Sequence, residues 1–147
     1  MTETASERIR VDAAADRCFD VAVDFESYPE WVRDVKEVRV LEHDDEGRGT
    51  RVEYRAAALG KSIRYVLAYD YHDAPTSFSW ELVEGDMLRR LDGRYQFDAE
   101  GPGSTRVHYD LAVDLAVPLP GLVKRRAAGL IMGSALKELK RQVEAVA

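Results

Sequence analysis

The sequence predicts an α+β fold in which a curved antiparallel sheet of about seven strands wraps around one long C-terminal helix, with two short helices near the N-terminus. Three observations predict this fold. Runs of apolar residues at every second position follow one another with short, turn-like connections. Each run has one apolar and one polar face, so one side of the sheet needs a cover. Residues 122–146 carry an apolar stripe at helical spacing, which supplies that cover.

The strand prediction rests on alternation. A first short strand covers residues 7–11, and later runs end at Asp44–Gly47, Asp73–Thr76 and Gly101–Gly103. Connections this short imply an antiparallel meander rather than parallel β-α-β units. The apolar sets of the later strands are Val38 and Val40; Val52, Tyr54, Ala56 and Ala58; Ile63, Tyr65, Leu67, Tyr69 and Tyr71; Phe78, Trp80 and Leu82; Leu91, Gly93, Tyr95 and Phe97; and Val107, Tyr109, Leu111, Val113 and Leu115.

The helix predictions rest on a change of period. Residues 13–23 place apolar side chains at helical spacing, and a second short helix starts near Pro29, which suits a first helical turn. Pro118–Gly121 ends the last strand, and Leu122–Val146 forms the long helix. The stripe on that helix consists of Ala128, Met132, Ala135, Leu139, Val143 and Val146.

Composition limits the classes of function. A chain of 147 residues fits a single domain spanning 1–147, and its net charge of −6 argues against nucleic acid as a partner. No apolar stretch approaches the roughly 20 residues needed to cross a bilayer, and the N-terminus does not resemble a secretory signal. Cys18 is the single cysteine, which fits a reducing compartment. We therefore expect a cytoplasmic protein without stable membrane insertion, and the oligomeric state stays open.

The usual catalytic and cofactor motifs are missing. His43, His72 and His108 have no spacing suited to a metal site, so we expect no metal. The sequence has no nucleophile elbow and no glycine-rich phosphate loop, so we expect no cofactor. Cys18 lies on an apolar helical stripe, where packing is a better interpretation than nucleophilic catalysis.

Tyrosines are the most unusual feature of the sequence. A buried tyrosine hydroxyl without a partner costs about 1–3 kcal/mol, so a dry core favours Phe or Leu instead. Inward-facing phenols therefore indicate a cavity that holds water or a ligand with acceptors, although each ring can instead pack in an ordinary core. The inward tyrosines are Tyr54, Tyr65, Tyr69, Tyr71, Tyr95 and Tyr109, with Trp80 beside them.

Small residues and charges add two open questions. Ala56, Ala58 and Gly93 on the inner face, with Gly129 and Gly133 on the long helix, leave either room for a ligand or space for close packing. Arg94, Asp92, Glu81 and His108 fall on the outer face, where charges are normally solvated. Strand register is uncertain between Glu84 and Arg90, so Arg89 or Arg90 can be placed at the pocket mouth, where an arginine would bind a carboxylate or an enolate oxygen.

Three segments resemble a known family. They are DFESYPEWVRDVKEVRVLE (24–42), FSWELVEGDMLRRLDGRYQF (78–97) and TRVHYDLAVDLAVPLPGLVKRRA (105–127). Together with the element order, they resemble the START-like (SRPBCC) superfamily, in particular the polyketide cyclase/dehydrase and coenzyme Q-binding branch and its small actinobacterial members. The resemblance implies the helix-grip fold of START and Bet v 1-like proteins, with a cavity between sheet and helix for hydrophobic or polycyclic ligands.

The leading interpretation is a protein that binds an apolar small molecule such as a lipid, an isoprenoid quinone or a polyketide-like aromatic, with transport or presentation of that molecule as a further role. The alternative is an aromatase/cyclase or dehydratase in which tyrosines and an arginine stabilise enolates. An interaction module that uses the basic segment Lys124–Arg126 is a third, weaker option. Trp31 is either a lid residue that closes one end of the cavity or a staple that joins helix to sheet, and analogy with the family favours the lid. The expected ligand-binding residues are Trp31, Tyr54, Tyr65, Leu67, Tyr69, Trp80, Tyr95, Tyr109 and Met132, and no catalytic residue is assigned.

Overall fold

The computed structural model describes residues 3–58, 61–116, 120 and 134–145. The seven strands are β1 (Glu3–Val11), β2 (Val35–His43), β3 (Gly49–Ala58), β4 (Lys61–Asp70), β5 (Ser77–Gly85), β6 (Leu88–Gly101) and β7 (Ser104–Leu115). Helix α1 (Ala15–Ala22), a 3₁₀ turn (Phe25–Ser27) and helix α2 (Tyr28–Trp31) connect β1 to β2. Residues 134–145 form the described part of the C-terminal helix, here α3.

All seven strands form one curved antiparallel sheet in the order β1-β7-β6-β5-β4-β3-β2. Each strand from β2 to β7 pairs with its neighbour in sequence, while β1 pairs with β7, far away in the chain. The register of β4 against β5 shifts where Leu67 faces Leu82 and Val66 faces Glu84, which makes Val83 an extra residue. This bulge leaves Val83 exposed.

The core lies between the inner face of the sheet, α1 and α3. Leu136, Leu139 and Val143 of α3 are buried at i, i+3 and i+7, as a helix packed by one stripe requires. Polar contacts also hold α3 in place, among them the bond from the Lys140 ammonium to the Arg10 carbonyl oxygen at 2.9 Å. The Glu138 carboxylate accepts a hydrogen bond from the Arg33 backbone N–H at 2.7 Å, and the Glu144 carboxylate accepts one from the Asp12 N–H at 2.9 Å.

The outer face of the sheet carries paired charges. Glu53 bonds Arg64 at 2.7 Å and Arg39 at 3.1 Å, and Arg64 also reaches Glu84 at 2.9 Å. The buried Val66 lies among them, at a position that alternation assigns to the outer face. The stems of long charged side chains can cover apolar surface in this way while their charged ends stay in water.

The predicted helix-grip architecture is confirmed, and its details differ at the element ends. Strand β1 begins at Glu3 rather than at residue 7, because pairing with β7 extends it beyond its alternating segment. Helix α1 is shorter than the predicted 13–23, and Tyr71 lies just after the end of β4. The predicted start of the long helix at Leu122, with Gly129, Met132 and Gly133, lies outside the described residues. No helix in the described ranges is long and apolar enough to cross a membrane.

Candidate functional site

Cross-strand pairing gathers the inward aromatic residues into one cluster. The register places Tyr54 opposite Tyr65, and Tyr95 opposite Tyr109. Tyr69 lies opposite Trp80 in the next pair of strands. Residues directly opposite on one face of an antiparallel pair are close enough for their side chains to touch. The expected tyrosines therefore form a continuous aromatic surface across β3 to β7 on the side that faces α3.

Trp80 lies flat against the backbone of Gly93. A Cβ atom added at Gly93 would lie 2.2 Å from Cζ2 and 2.6 Å from Cε2 of Trp80, and 2.9 Å from the Asp110 carbonyl oxygen. Glycine is needed here because the indole ring occupies the place of a side chain. The Trp80 ring of the neighbouring strand therefore fills the space at Gly93, where the sequence analysis expected either room for a ligand or close packing of helix against sheet.

Tyr54 and Tyr69 form a hydroxyl pair. Their oxygens are 2.5 Å apart, so one phenol donates a hydrogen bond to the other. The Tyr54 ring stacks on Tyr65 with centroids 5.2 Å apart, and Tyr69 packs on Phe25 at 4.4 Å. These contacts fix the orientation of both phenols.

Helix α2 closes one end of the cluster. The Tyr28 hydroxyl donates a hydrogen bond to the Ala22 carbonyl oxygen, which ties α2 back to the end of α1. Trp31 is half-buried and meets Tyr28 edge to face with ring centroids 5.0 Å apart. Whether Trp31 acts as a lid or as a staple between helix and sheet stays a prediction.

The tyrosine hydroxyls divide into two groups. Tyr71 donates to the Gly49 carbonyl oxygen at 2.5 Å, and one hydroxyl of the Tyr54 and Tyr69 pair donates to the other. For Tyr65, Tyr95 and Tyr109, no hydrogen bond to another group occurs within the part of the chain that the structure describes. Among the described residues, none of these three hydroxyls is both fully buried and without a hydrogen-bond partner.

Burial keeps these phenols neutral. Burial is the main cause that raises the pKa of Tyr54, Tyr69 and Tyr95 well above the ordinary value, and it also raises the pKa of Tyr65 and Tyr109. At neutral pH they act as hydrogen-bond donors rather than as phenolates.

Negative groups add to the effect of burial. The carboxylate of Glu138 further raises the pKa of Tyr95, and Asp34 has the same effect on Tyr65. Arg48, which lies 4.8 Å from the ring centroid of Tyr71, opposes the increase in the pKa of that residue.

Leu67 and Met132 complete the expected ligand-binding set. Leu67 is buried on the inner face between Val52 and Leu82. Met132 lies outside the described residues. The structure thus brings Tyr54, Tyr65, Leu67, Tyr69, Trp80, Tyr95 and Tyr109 onto one face, with Trp31 at its end.

The outer-face charges lie where alternation predicts them. Arg94 bonds the Ser77 hydroxyl at 2.9 Å, and His108 faces Asp98 at 2.9 Å. Both Arg89 and Arg90 are exposed, and Arg90 bonds Asp92 at 2.6 Å. Arg90 therefore binds an outer-face carboxylate and is not at the pocket mouth, whereas Arg89 lies at a register shift between Leu88 and Arg90, and its placement at the mouth stays a prediction.

A depression of about 680 Å³ lies over the strands β2, β3 and β4. Most of its lining consists of charged outer-face side chains, and Tyr54 is the one member of the tyrosine cluster that borders it. The lining residues are Pro29, Glu37, Val38, Arg39, Glu53, Tyr54, Arg55 and Arg64. Its charged lining distinguishes it from the expected apolar site.

The described ranges contain no arrangement of side chains suited to metal binding or to thiol chemistry. No three His, Cys, Asp or Glu side chains converge there. Cys18 is buried, and burial is the main cause that raises the pKa of its thiol. A neutral, buried thiol fits the packing interpretation.

Three residues of the site were missed by the sequence analysis. Phe25 lies in a 3₁₀ turn, where no periodic pattern marks a buried ring. Tyr28 begins helix α2, which is too short for a helical period to mark its inward side. Glu138 flanks the buried stripe of α3, and alternation of charge with apolar residues gives no sign that it faces Arg33.

Comparison with protein families gives one match that covers almost the whole chain. The family model described as polyketide cyclase/dehydrase and lipid transport matches residues 2–144. Among curated proteins, none matches the sequence closely enough to be counted as a relative.

Solved structures share the fold over nearly the full length. A START superfamily protein from Mycobacterium smegmatis is 27% identical, with a TM-score of 0.91, and the alignment covers 98% of this chain and 99% of that one. A protein from Thermus thermophilus is 25% identical, with a TM-score of 0.81 and coverage of 98% and 99%. The Zhui aromatase/cyclase from Streptomyces sp. R1128 is 14% identical, with a TM-score of 0.84 and coverage of 98% and 94%, which shows likeness of fold.

Proposed function

Because the chain belongs to the polyketide cyclase/dehydrase and lipid-transport family, we propose that it binds and presents an apolar small molecule between the tyrosine-lined sheet and α3. The family and fold support hydrophobic ligand binding or an aromatase/cyclase role. Of these two, the described residues favour binding. A lipid, a quinone or a polyketide-like aromatic is the expected kind of ligand.

The observation that carries the proposal is the set of phenols on the apolar inner face of the sheet. No hydrogen bond joins the hydroxyls of Tyr65, Tyr95 and Tyr109 to another group in the described part of the chain, and none of these hydroxyls is both fully buried and without a partner there. A phenol beside an apolar surface can donate to an acceptor oxygen of a ligand while its ring packs against the apolar part.

A pair of conservative variants tests the proposal. Tyr95→Phe removes a phenol that has no protein partner in the described ranges, so we expect little loss of stability and an affinity for a bound ligand about 2–10-fold lower. Tyr71→Phe removes a phenol bonded to Gly49, so we expect lower stability with unchanged affinity. Affinity is measured with a neutral aromatic probe, 2-acetylnaphthalene, and stability by urea unfolding.

Native mass spectrometry of the purified protein, followed by organic extraction, complements this test. A defined co-purifying lipid or quinone supports the carrier. The proposal fails if 2-acetylnaphthalene does not bind and extraction releases no apolar molecule, or if Tyr95→Phe destabilises the protein as much as Tyr71→Phe without lowering affinity.

The hydroxyl pair of Tyr54 and Tyr69 favours an aromatase/cyclase as the second candidate. In a pair of neutral phenols 2.5 Å apart, the phenol that accepts keeps its own O–H, which can donate to an enolate oxygen while a new carbon–carbon bond forms and water leaves. Among the described residues, however, no arginine contacts a tyrosine hydroxyl, as the enzyme interpretation expects. Loss of one water from a poly-β-ketone surrogate, abolished by Tyr69→Phe, would establish the enzyme.

A further inference from the structure

The outer-face depression over β2, β3 and β4 has the volume of a ligand site, about 680 Å³. The arginines Arg39, Arg55 and Arg64 line it, and the carboxylates of Glu37 and Glu53 lie among them. The proposed binding of an apolar molecule on the inner face does not use these charges.

Two of the arginines face each other across a strand pair. The register places Arg55 of β3 directly opposite Arg64 of β4. The Cβ atoms of such a pair lie about 4.5–5.5 Å apart, and like charges at these positions destabilise a sheet. A bound anion that contacts both guanidinium groups would offset this repulsion.

Glu53 holds Arg64 in place. Its Oε2 lies 2.7 Å from Nε of Arg64, and its Oε1 lies 3.1 Å from Nη2 of Arg39. Arg64 also reaches Glu84 through Nη1 at 2.9 Å. A guanidinium has five N–H donors, so these contacts leave donors for a ligand. A side chain that is fixed in advance also loses less entropy when the ligand binds.

Arg55 has donors that no carboxylate uses. Its closest carboxylate is that of Glu37, with Nε and Oε2 3.9 Å apart, which is too far for a hydrogen bond. No other ion pair of Arg55 occurs in the described ranges, and the rest of the chain contains no Asp or Glu that could form one. The Arg55 guanidinium can therefore bind an anion in the depression without first losing a hydrogen bond.

We propose that this depression is a second binding site, at which the guanidinium groups of Arg55 and Arg64 bind a phosphate monoester. Two guanidinium groups match the charge of a phosphate monoester, about −2 at neutral pH, better than that of a carboxylate. Hydrogen bonds from arginine to phosphate oxygens are charge-assisted and often bidentate. The organic part of the molecule packs on the uncharged part of the lining, which consists of Pro29, Val38 and Tyr54. The two arginines lie on the opposite face from the tyrosine cluster, so this site does not depend on the proposed function.

A titration with phenyl phosphate, followed by amide NMR at low ionic strength, tests the inference. Low ionic strength is needed because salt screens exposed charges. We expect a dissociation constant of about 1 mM or lower, with chemical-shift changes centred on Arg55 and Arg64. Benzoate has the same ring and one charge, and it should bind at least about threefold more weakly. Arg55→Gln should weaken phenyl phosphate binding about three- to fivefold, and Glu37→Gln, which removes a competing carboxylate, should strengthen it about twofold.

Arg51→Gln is the matched control. Arg51 lies on β3 and is 45% exposed, against 50% for Arg55, but it pairs with Glu42 at 3.3 Å and does not line the depression. Its replacement should change the affinity by less than about 1.5-fold. Absence of phenyl phosphate binding up to about 10 mM, equal losses in both arginine variants, or shifts centred on Tyr95 would overturn the inference. These outcomes leave the binding of 2-acetylnaphthalene on the inner face untouched.

Phosphatidylcholine vesicles that contain phosphatidate distinguish the two sources of a phosphate monoester. If the protein sediments with these vesicles and Arg55→Gln abolishes this, the site takes a lipid head group. If phenyl phosphate binds and the protein does not sediment with the vesicles, the site takes a free phosphate monoester.

Discussion

Replacing Gly93 by alanine should strongly destabilise the fold, because the position of the new Cβ is already occupied. The Cβ would lie 2.2 Å from Cζ2 of Trp80, whereas ordinary contact begins at 3.4 Å. The indole ring must therefore withdraw by about 1.2 Å. The Asp110 carbonyl, 2.9 Å from the same Cβ, belongs to the paired strand β7 and cannot yield easily.

The cost has two parts. Overpacking in a core costs about 1–3 kcal/mol. Displacing Trp80 also weakens its ring contacts with Tyr95 at 5.6 Å and Tyr109 at 5.7 Å, each worth about 0.5–1.5 kcal/mol when intact. Alanine also lowers the conformational entropy of the unfolded chain, which stabilises the folded state by about 0.4–1 kcal/mol. We expect a net loss of about 3 kcal/mol, or a Tm lower by about 6–12 °C.

Thermal and urea unfolding measure this loss, and Gly103→Ala is the control. A Cβ at Gly103 meets nothing within 4 Å, so this variant should lie within about 0.5 kcal/mol of wild type. In a Trp80→Leu background the cost of Gly93→Ala should fall below about 1.5 kcal/mol, since the Asp110 contact then remains alone. Stability of Gly93→Ala within about 0.5 kcal/mol of wild type would show that the packing described here is wrong.

Two further predictions concern buried polar groups. Thr105→Val should lower the free energy of unfolding by about 1–2 kcal/mol. The fully buried Thr105 hydroxyl donates to the Ala13 carbonyl at 2.7 Å, and valine leaves that acceptor unpaired. Urea unfolding measures the loss, and an unchanged midpoint would contradict the prediction. Alkaline pH should unfold the protein cooperatively. The folded-state pKa values of the tyrosines are raised, so the unfolded chain loses tyrosine protons first, above about pH 10. The contribution of these tyrosines to stability is therefore constant below that pH. Above it, the free energy of unfolding falls by about 1.4 kcal/mol per pH unit for each such tyrosine. Tyrosinate absorbance should rise together with the loss of circular dichroism, and gradual titration near pH 10 in a folded protein would refute this expectation.

The sequence predicted which side chains share a face, because the pleat of a strand fixes a period of two. That rule placed Tyr54, Tyr69, Trp80 and Tyr95 correctly on the inner face. It also placed Arg94 and His108 outside. The order of elements and the antiparallel pairing followed from the short connections.

Contacts that depend on register could not be predicted in the same way. The fit of Trp80 over Gly93 requires knowing which residues of β5 and β6 lie opposite each other. The course of the chain from Glu84 to Arg90 depends on the bulge at Val83 and on the left-handed backbone of Met87, at φ 61°, and neither leaves a periodic signal. Which phenols lack a partner among the described residues, and that Glu138 faces Arg33, are properties of the tertiary structure alone.

The pairing of β1 with β7 has a consequence for the order in which the protein can assemble during synthesis. Each strand from β2 to β6 can pair with the next strand as soon as that strand has left the ribosome. Val11 of β1 can pair only after Thr105 of β7 has been synthesised. At about 5–20 residues per second, translation of the intervening chain takes roughly 5–20 s. During that interval the nascent Glu3–Val11 segment has no strand to join, so its backbone donors and acceptors remain hydrogen-bonded to water until β7 is made.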